Sequence, residues 1–504
     1  MNKIPVFISL VFLVAGCSKE MVPAKYEMRG SWIATVNNID WPSRPGLSVT
    51  EQMDEYRRMA HFHATHGFNA LFVQVRPATD AFYKSDSEEW SQWLTGTQGQ
   101  PPVPEYDPLQ YMIEATHDLG MEFHAWFNPY RAVVKVDSAN TSLNHITRAR
   151  PGWFVRYGDN LYFDPGIPEA RQYLVKAIAR VVEKYDVDAI HFDDYFYPYP
   201  IAKEEFPDSL SFSKYGRDFL NKDDWRRNNV NNLVKELHES IKSIKPYVKF
   251  GISPFGVWRN KEQDARGSDT RALSNYDDLY ADVLKWLEAG WIDYVVPQLY
   301  WHIGFELADY GVLAEWWNEN TFGKHLYIGQ AVYRVGSERA EAWKQPGEMG
   351  AHLRLNRQYP RVLGNVFFNA KTFYKNPLGI SDTLRANYYA YPALVPPMTW
   401  IDNEPPMAPI DLKISSDKGG IYLSWNRPGG EKPVRYVVYR KSGNKTPLAE
   451  DPRNIVTTLR DPVTFYVDRN VVSGKTYTYV VTAVDRLHNE SVISVPVTIK
   501  FKSR

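Results

Sequence analysis

Cysteine is almost absent from this sequence, and with it any disulfide within the chain. The 504 residues contain one cysteine, Cys17, so the fold has no covalent cross-link to support it. Charge of one sign is also lacking, because 59 basic residues balance 59 acidic residues. That balance argues against a nucleic-acid partner, which requires a basic excess. Beyond residues 4–14 the sequence has no long apolar run, so no membrane-spanning helix is predicted.

The N-terminal residues have the pattern of a bacterial lipoprotein signal. Lys3 precedes the apolar run 4–14, and two small residues, Ala15 and Gly16, precede Cys17. The run is too short to span a bilayer, and its flanks fit a signal peptide over residues 1–17. We predict that Cys17 is lipidated and anchors a soluble body to a membrane of the cell envelope. Ser18, directly after Cys17, permits sorting of the lipoprotein to an outer membrane. The alternative to a lipoprotein signal is an ordinary secretory signal that ends near a cysteine.

Proline divides the remaining sequence into two units. Residues 391–409 read YPALVPPMTWIDNEPPMAP, and this proline content forbids regular helix and favours an extended connector. Strand-like and helix-like patterns alternate before this segment, and only strand-like patterns follow it. We therefore predict a first domain over residues 26–390, a linker over 391–404 and a second domain over 405–504.

The first domain contains eight short apolar segments that read as strands. They cover residues 29–34, 69–75, 122–127, 188–193, 249–253, 293–297, 325–329 and 362–368. Helical patterns separate most of them, including 169–185, 229–245 and 276–289. A capping box of Ser48 and Glu51 opens one helix, and Asp107 before Pro108 opens another. This α/β alternation predicts a (β/α)8 TIM barrel with long loops; the alternative, an open doubly wound sheet, lacks a glycine-rich phosphate loop.

The second domain shows only strand patterns separated by turn residues. The runs YLSW at 422–425, YVVYR at 436–440 and GKTYTYVVTAVD at 474–485 predict a small all-β sandwich. They resemble a fibronectin type III domain. Trp425 and Tyr479 are expected to fill its core, and no catalytic residue is expected in it.

The predicted fourth strand ends in two consecutive carboxylates. Alternation along the sequence AIHFDDY places His191, Asp193 and Tyr195 on the side that faces the barrel axis. Asp194 points the other way unless the following loop redirects it. Active sites of such barrels lie at the C-terminal ends of the strands, and buried acids are costly without a function. We therefore interpret Asp193 as a site residue.

Polar and aromatic side chains at other strand ends are predicted to meet on the same rim. They are Arg76 and Asp80 after the second strand, Trp126, Asn128 and Arg131 after the third, Gln298, Tyr300 and Trp301 after the sixth, and Asn369 after the eighth. Their convergence on one rim is a stronger signal than any one of them. His124 and His191 lack the spacing of a metal site, so neither a metal nor another cofactor is predicted.

Six motifs of the first domain form a jointly specific set. They are RGSWIAT at 29–35, GFNALFVQVRP at 67–77, EFHAWFNPYR at 122–131, HFDDYFYP at 191–198, GISPFGVWRN at 251–260 and VVPQLYW at 295–301. Together they resemble the glycosyl-hydrolase-like family 10 lipoproteins of bacteria. The resemblance implies a TIM-barrel glycoside hydrolase that acts on bacterial envelope glycan, notably peptidoglycan strands stripped of their peptides. Its partners would be that glycan polymer and, through Cys17, a membrane.

Roles for the site residues follow from the chemistry that the resemblance implies. Glycoside hydrolysis usually needs two carboxyl groups; Asp193 is the first candidate, and Asp194 and Asp80 compete for the second role. Glu204, Glu205 and Asp269 are loop acids that folding could bring close. Side chains expected to position sugar groups are Arg76, Asn128, Arg131, His191, Tyr195, Gln298, Tyr300 and Asn369, and those expected to stack on sugar rings are Trp126 and Trp301.

Two further functions stay open at this level. One is hydrolysis of an imported polysaccharide, and the other is glycan binding on a catalytically silent barrel. The acids at the strand ends favour an enzyme over a binding protein.

Overall fold

A closed barrel of eight parallel strands forms the first domain. The computed structural model describes residues 23–136 and 141–502. Each strand pairs with the next along the chain, and the last pairs with the first, which closes the barrel. This topology confirms the predicted TIM barrel and excludes the open sheet. The strands are β1 (Met28–Ile33), β2 (Ala70–Arg76), β3 (Glu122–Phe127), β4 (Ala189–Phe192), β5 (Lys249–Ile252), β6 (Tyr294–Val295), β7 (His325–Gln330) and β8 (Val362–Phe367).

A helix follows each strand and covers the outside of the barrel. The eight are α1 (Val49–Thr65), α2 (Pro108–His117), α3 (Pro168–Lys184), α4 (Lys222–Ile244), α5 (Val283–Glu288), α6 (Tyr310–Glu319), α7 (Gly347–Asn356) and α8 (Ala370–Lys375). Shorter helical turns lie in the loops at Gln92–Thr95, Ile146–Ala149, Ser209–Tyr215, Asn275–Asp278 and Ile380–Thr383. The main apolar core lies between the strands and these helices.

Local sequence signals set several helix ends. The Ser48 side chain accepts from the backbone of Glu51, and the Glu51 carboxylate accepts from the backbone of Ser48, as the predicted capping box requires. Asp107 caps α2, whose first residue is Pro108. The single helix expected over 276–289 is wrong, because Tyr280 adopts a left-handed backbone conformation with a φ of 54°. Two helices, Asn275–Asp278 and α5, stand in its place.

Strands in the loops extend the C-terminal rim of the barrel. A three-stranded antiparallel sheet lies after β3, with strands Arg131–Val133, Asn160–Phe163 and Phe154–Tyr157 in spatial order. A short parallel pair, Asp80–Ala81 and Glu89–Trp90, lies after β2. The sequence analysis did not predict these strands, which are too short to show a period.

The second domain is a sandwich of two antiparallel sheets. Its strands are β9 (Ile410–Asp417), β10 (Gly420–Asn426), β11 (Arg435–Ser442), β12 (Ile455–Arg460), β13 (Phe465–Asp468), β14 (Thr476–Val484) and β15 (Val497–Lys500). One sheet has the order β9-β10-β13 and the other β12-β11-β14-β15. Trp425 and Tyr479 are buried in one cluster between the sheets, as predicted.

The proline-rich join is held against the N-terminal end of the barrel. Leu394 pairs with Tyr26 just before β1. Val395 and Met398 are buried in the cluster that contains Met28, the first residue of β1. The segment is extended, but it is not a free connector, because its apolar side chains close the N-terminal end of the barrel, which we call its lower end.

A buried charge network connects the sandwich to the same end of the barrel. Glu122 opens β3 and Lys249 opens β5, and each side chain is 1% exposed in their ion pair. His488 of the sandwich reaches the same Glu122 carboxylate at 2.5 Å. At the rim of this interface, Arg486 pairs with Asp186 at 2.7 Å. The sandwich therefore contributes polar groups to the interior of the barrel.

Among the described residues, no helix is long and apolar enough to span a bilayer.

Candidate active site

A cavity of about 480 Å³ opens at the C-terminal ends of the barrel strands. Seven residues predicted to belong to the site line it: Trp126, Arg131, Asp193, Asp194, Tyr195, Gln298 and Tyr300. The lining also includes residues that were not among the predicted site residues, notably Trp32, Asn37, Gln74, Tyr162, Tyr199, Ser253 and Phe368. We call this cavity the rim pocket.

Asp193 lies immediately after β4 and is 4% exposed. Its Oδ2 accepts hydrogen bonds from Trp126 Nε1 at 3.1 Å and from the Asn128 side-chain amide. Its Oδ1 accepts from the backbone N–H of Tyr195 at 3.2 Å. Burial, and then the negative charge of Asp194, raise the pKa of Asp193 to about 7. The carboxyl group is fixed in place and retains its proton up to neutral pH.

Asp194 lines the same pocket as Asp193, although the two residues are consecutive. The strand ends at Phe192, so the alternation of sides ends there and the loop turns Asp194 inward. Gln298 Nε2 donates to Asp194 Oδ1 at 3.1 Å, and the Tyr199 hydroxyl donates to Oδ2. Burial raises the pKa of Asp194, and these two hydrogen bonds oppose the rise.

Arg131 supplies positive charge to the rim pocket. Its guanidinium lies 4.5 Å from the ring centre of Tyr195, and its positive charge opposes the rise in the pKa of both aspartates. Its side chain donates to the backbone oxygen of Pro77 at 3.4 Å. Within residues 23–136 and 141–502, no carboxylate lies within ion-pair distance of Arg131. Its charge is therefore available to a ligand.

Aromatic rings form the walls of the rim pocket. Tyr195 and Tyr199 meet edge to face with their centres 5.7 Å apart, and Tyr300 and Phe368 are roughly parallel at 6.5 Å. Trp32 forms part of the floor, and its Nε1 donates to His191 Nε2 at 3.1 Å. Flat apolar faces beside amide and carboxyl groups suit a sugar, which presents both C–H faces and hydroxyl groups.

His191 and His124 are buried inside the barrel below the pocket. His124 Nδ1 lies 2.8 Å from the hydroxyl of Tyr294, and His191 Nδ1 lies 3.1 Å from the same hydroxyl. His191 Nε2 also lies 3.1 Å from Ser253 Oγ. Burial lowers the pKa of both histidines, which are therefore neutral at pH 7. His191 and Asn128 thus support pocket side chains from below and do not line the pocket.

Arg76 was expected in the site, but the structure places it elsewhere. It forms a fully buried ion pair with Glu88 at 2.7 Å and donates to the backbone oxygen of Asn128. The pairing of β2 with β3 shifts register between Gln74 and Arg76. This irregularity leaves Gln74 in the pocket and turns Arg76 away from it.

Asp80 does not share the rim pocket with Asp193. It begins the short strand Asp80–Ala81 and lines a separate cavity of about 320 Å³. Gln98 donates to its Oδ2 at 3.3 Å, and burial raises its pKa to about 7. Sequence distance from Asp193 gave no means of excluding it, because long loops separate the two.

The remaining predicted residues lie outside the pocket for distinct reasons. Trp301 packs on Phe255 with ring centres 5.4 Å apart. Asn369 precedes α8, and its side-chain oxygen accepts from the Thr372 hydroxyl. Among the loop acids, Glu204 accepts from the Gly158 backbone, Glu205 pairs with Lys222, and Asp269 is exposed. Cys17 lies outside the described residues.

One group of carboxylates has the spacing of a cation site. Asp402, Glu431 and Asp485 offer oxygens within 4.8 Å of one another. They lie at the join of linker and sandwich, and Asp485 already accepts from Asn489 and from the backbone of Leu487. None of the three lines the rim pocket.

Comparisons with known proteins give this geometry a context. The sequence profile of the family described as glycosyl hydrolase-like 10 matches residues 27–345, and that of a fibronectin type III domain (SaeA third domain) matches residues 409–502. Glycosyl hydrolase YngK of Bacillus subtilis (strain 168) is 48% identical over 500 residues, covering 96% of each chain. Glycosyl hydrolase DigH of Escherichia coli (strain K12) is 39% identical over 365 residues, covering 68% of this chain and 82% of that protein.

Proposed function

This chain belongs to the glycosyl hydrolase-like 10 family, and from that membership we propose that the rim pocket cleaves bacterial envelope glycan, most specifically peptidoglycan strands without peptides. The protein is a glycoside hydrolase by its family and by its relatives. The substrate and the roles of the residues are the proposal. The observation that carries it is the position of Asp193 and Asp194 at one strand end, beside an available Arg131.

Asp193 supplies the acid–base chemistry that glycoside cleavage requires. A neutral carboxyl group protonates the departing oxygen, and its conjugate base later removes a proton from water. Asp193 is suited to that role because its raised pKa keeps the proton on it near pH 7. The donors Trp126 and Asn128 hold it in one orientation, which favours proton transfer.

Arg131 supports the choice of peptide-free strands. Removal of the peptide leaves a free carboxylate on the lactyl ether of each muramic sugar. A planar guanidinium binds a carboxylate through two parallel hydrogen bonds. Arg131 lines the pocket with no carboxylate of the described chain in contact. An imported polysaccharide without acidic substituents would make no use of this charge.

The test of this function is release of reducing ends from three substrates by the full chain. Peptide-free strands should be cleaved fastest, peptide-bearing peptidoglycan slowly, and chitin oligosaccharides without the lactyl group with a higher KM. Arg131→Gln should lower kcat/KM for peptide-free strands by about tenfold or more, and so remove the preference for them over chitin. Arg57→Gln changes an exposed arginine of α1 and is the matched control. Preferred cleavage of an unrelated plant or storage polysaccharide would contradict the proposed substrate.

The location in the cell envelope is a second proposal, and it rests on the sequence around Cys17. Cys17→Ala should move the protein from the membrane fraction to the soluble or unprocessed fraction when the full gene is expressed in a bacterium. Ser18→Ala keeps the cysteine and should remain membrane-bound. Mass spectrometry of the N-terminus reports the lipid directly. Equal fractionation and equal mass of wild type and Cys17→Ala would contradict the anchor.

A further inference from the structure

The carboxylates of the rim pocket are confined to one side of it. Over the described ranges 23–136 and 141–502, Asp193 and Asp194 are the only acidic residues in its lining. Both follow β4. The ends of β1 and β8, which lie across the barrel from β4, contribute Trp32, Asn37 and Phe368 to the lining.

This distribution does not match hydrolysis with two enzyme carboxylates. Such enzymes place one carboxyl group on each side of the scissile bond, about 5–5.5 Å apart for retention and about 6.5–9.5 Å apart for inversion. Two consecutive residues at the end of one strand reach the sugar from the same side. Asp80 lines another cavity, and Asp40, a buried acid near β1, accepts backbone N–H bonds at both oxygens, from Ala34 and Lys371.

Other side chains of the pocket are poor nucleophiles. Burial raises the pKa of Tyr195, Tyr199 and Tyr300, so their hydroxyls stay protonated. Ser253 Oγ is 3.1 Å from His191, but that histidine has no carboxylate behind it, because its other nitrogen meets the Tyr294 hydroxyl. A nucleophile must attack the anomeric carbon from the side opposite the departing oxygen. None of these side chains supplies it, so it must come from elsewhere.

We propose that the substrate supplies it: the carbonyl oxygen of the sugar's own 2-acetamido group attacks the anomeric carbon while Asp193 protonates the departing oxygen and Asp194 holds the acetamido N–H. This inference rests on the proposed function and narrows it. The sugar on the nonreducing side of the cleaved bond must be a β-linked 2-acetamido sugar. Both sugars of peptidoglycan strands meet that requirement.

The reaction proceeds in two steps. A lone pair of the acetamido oxygen forms a bond to the anomeric carbon, the bond to the departing oxygen breaks, and that oxygen takes the proton of Asp193. The result is an oxazolinium ring whose N–H donates to the Asp194 carboxylate. Water then gives a proton to Asp193 and its oxygen bonds to the anomeric carbon. The ring bond breaks, and the acetamido group is restored with retention of configuration.

The surroundings of the two acids fit these separate roles. Asp194 accepts from Tyr199 and Gln298, and both bonds favour its ionised form, which can accept the acetamido N–H. Burial, and then the negative charge of Asp194, raise the pKa of Asp193 to about 7, so Asp193 can carry the proton that the departing oxygen takes. Tyr199 and Gln298 are positioning residues, because they act on the substrate through Asp194.

The decisive experiment varies the acyl group and leaves the enzyme unchanged. Peptide-free strands are de-N-acetylated and reacylated with acetyl, fluoroacetyl, difluoroacetyl or trifluoroacetyl groups. Fluorine withdraws electrons from the carbonyl oxygen, so kcat should fall at each step, by about a hundredfold or more over the series because an intramolecular nucleophile is being weakened. The first product seen by proton NMR should be the β-anomer.

Other outcomes of this experiment would contradict the inference alone or the proposed function as well. A flat acyl series with a β product would assign the nucleophile to the enzyme and overturn this inference, while cleavage itself would uphold the proposed function. An initial α product would do the same. No cleavage of the acetyl strands would overturn the proposed function and this inference with it.

A binding measurement gives a second test that does not depend on turnover. A thiazoline derived from N-acetylglucosamine imitates the ring formed in the first step. It should raise the Tm of the wild type and of Asp80→Asn, which is altered outside the pocket, and should lose at least tenfold in affinity for Asp194→Asn. Equal binding to Asp194→Asn, with that variant folded by circular dichroism, would contradict the role of Asp194.

Discussion

Replacement of Asp193 by asparagine is expected to lower the rate of glycan hydrolysis by about a hundred- to ten-thousandfold, the range for loss of a positioned acid–base group. Asparagine keeps the size of the side chain and cannot transfer the proton. In the wild type the same rate should fall as pH rises through about 7, because Asp193 then loses the proton it must donate. Reducing-end release from peptide-free strands between pH 5 and 9 measures both effects.

The same substitution should stabilise the fold. The pKa of Asp193 is higher in the folded protein than its usual value, so the folded form binds more protons than the unfolded form between about pH 4 and 7. The fold therefore loses stability as pH rises from about 4 to 7. Asparagine removes this loss, and the Tm at neutral pH should rise while activity disappears. Asp80→Asn should keep near-full activity. If Asp193→Asn were active and Asp194→Asn inactive, the acid would be Asp194.

Replacement of Glu122 by glutamine is expected to lower the free energy of unfolding by about 3–5 kcal/mol, because it leaves a buried lysine without its counter-ion. Lys249 is 1% exposed and pairs with Glu122, which also accepts from His124 and His488. Guanidinium unfolding followed by circular dichroism measures the loss. Glu105→Gln, in an exposed ion pair with Lys84, is the matched control and should change stability by less than about 1 kcal/mol.

The stabilisation of the fold by Glu122 should be lost only at low pH. Burial opposes its ionisation, but the charge of Lys249 and the interactions with His488 and His124 together outweigh burial and hold the pKa of Glu122 well below its usual value. Such a group stabilises the fold above its unfolded pKa and loses that contribution as pH falls through its folded pKa. The gap between wild type and Glu122→Gln should therefore be complete at pH 7 and shrink only in strong acid. A gap that widened in acid would contradict this account.

Removal of residues 405–504 would act on the same network. It takes away His488 and Arg486, and also Leu487, which belongs to the same buried cluster as Val395 and Met398 at the N-terminal end of the barrel. The sandwich therefore stabilises the barrel by direct contact, in addition to any role it has with the glycan.

Much of the fold was predictable because its signals are local. The strands of the barrel are short apolar runs between helix caps, and the capping box at Ser48 and the Asp107–Pro108 start are read from four residues or fewer. The interruption at Tyr280 was not predictable, because a left-handed residue inside an apolar helical pattern leaves no mark in the pattern.

The site was predictable where regular strand geometry persisted. Alternation along β4 placed His191 inside the barrel and Asp193 at its upper end, and both positions are seen. It failed for Arg76, where a register shift between β2 and β3 turns the side chain out. It also gave no reason to select Tyr199 or Trp32, which enter the pocket from a loop and from β1.

The sequence by itself determined the barrel, the sandwich and the strand end that carries Asp193, because periodicity and capping act over a few residues. Only the tertiary structure decided which acids share a pocket. Asp194 turns inward where β4 ends, whereas Asp80 and Arg76 go to other partners. It also decided that the proline-rich join and His488 complete the lower end of the barrel. The physical reason is that loop paths, register shifts and interdomain contacts are set by packing between separate segments, from 12 residues apart for Arg76 and Glu88 to 366 for Glu122 and His488, which no local pattern records.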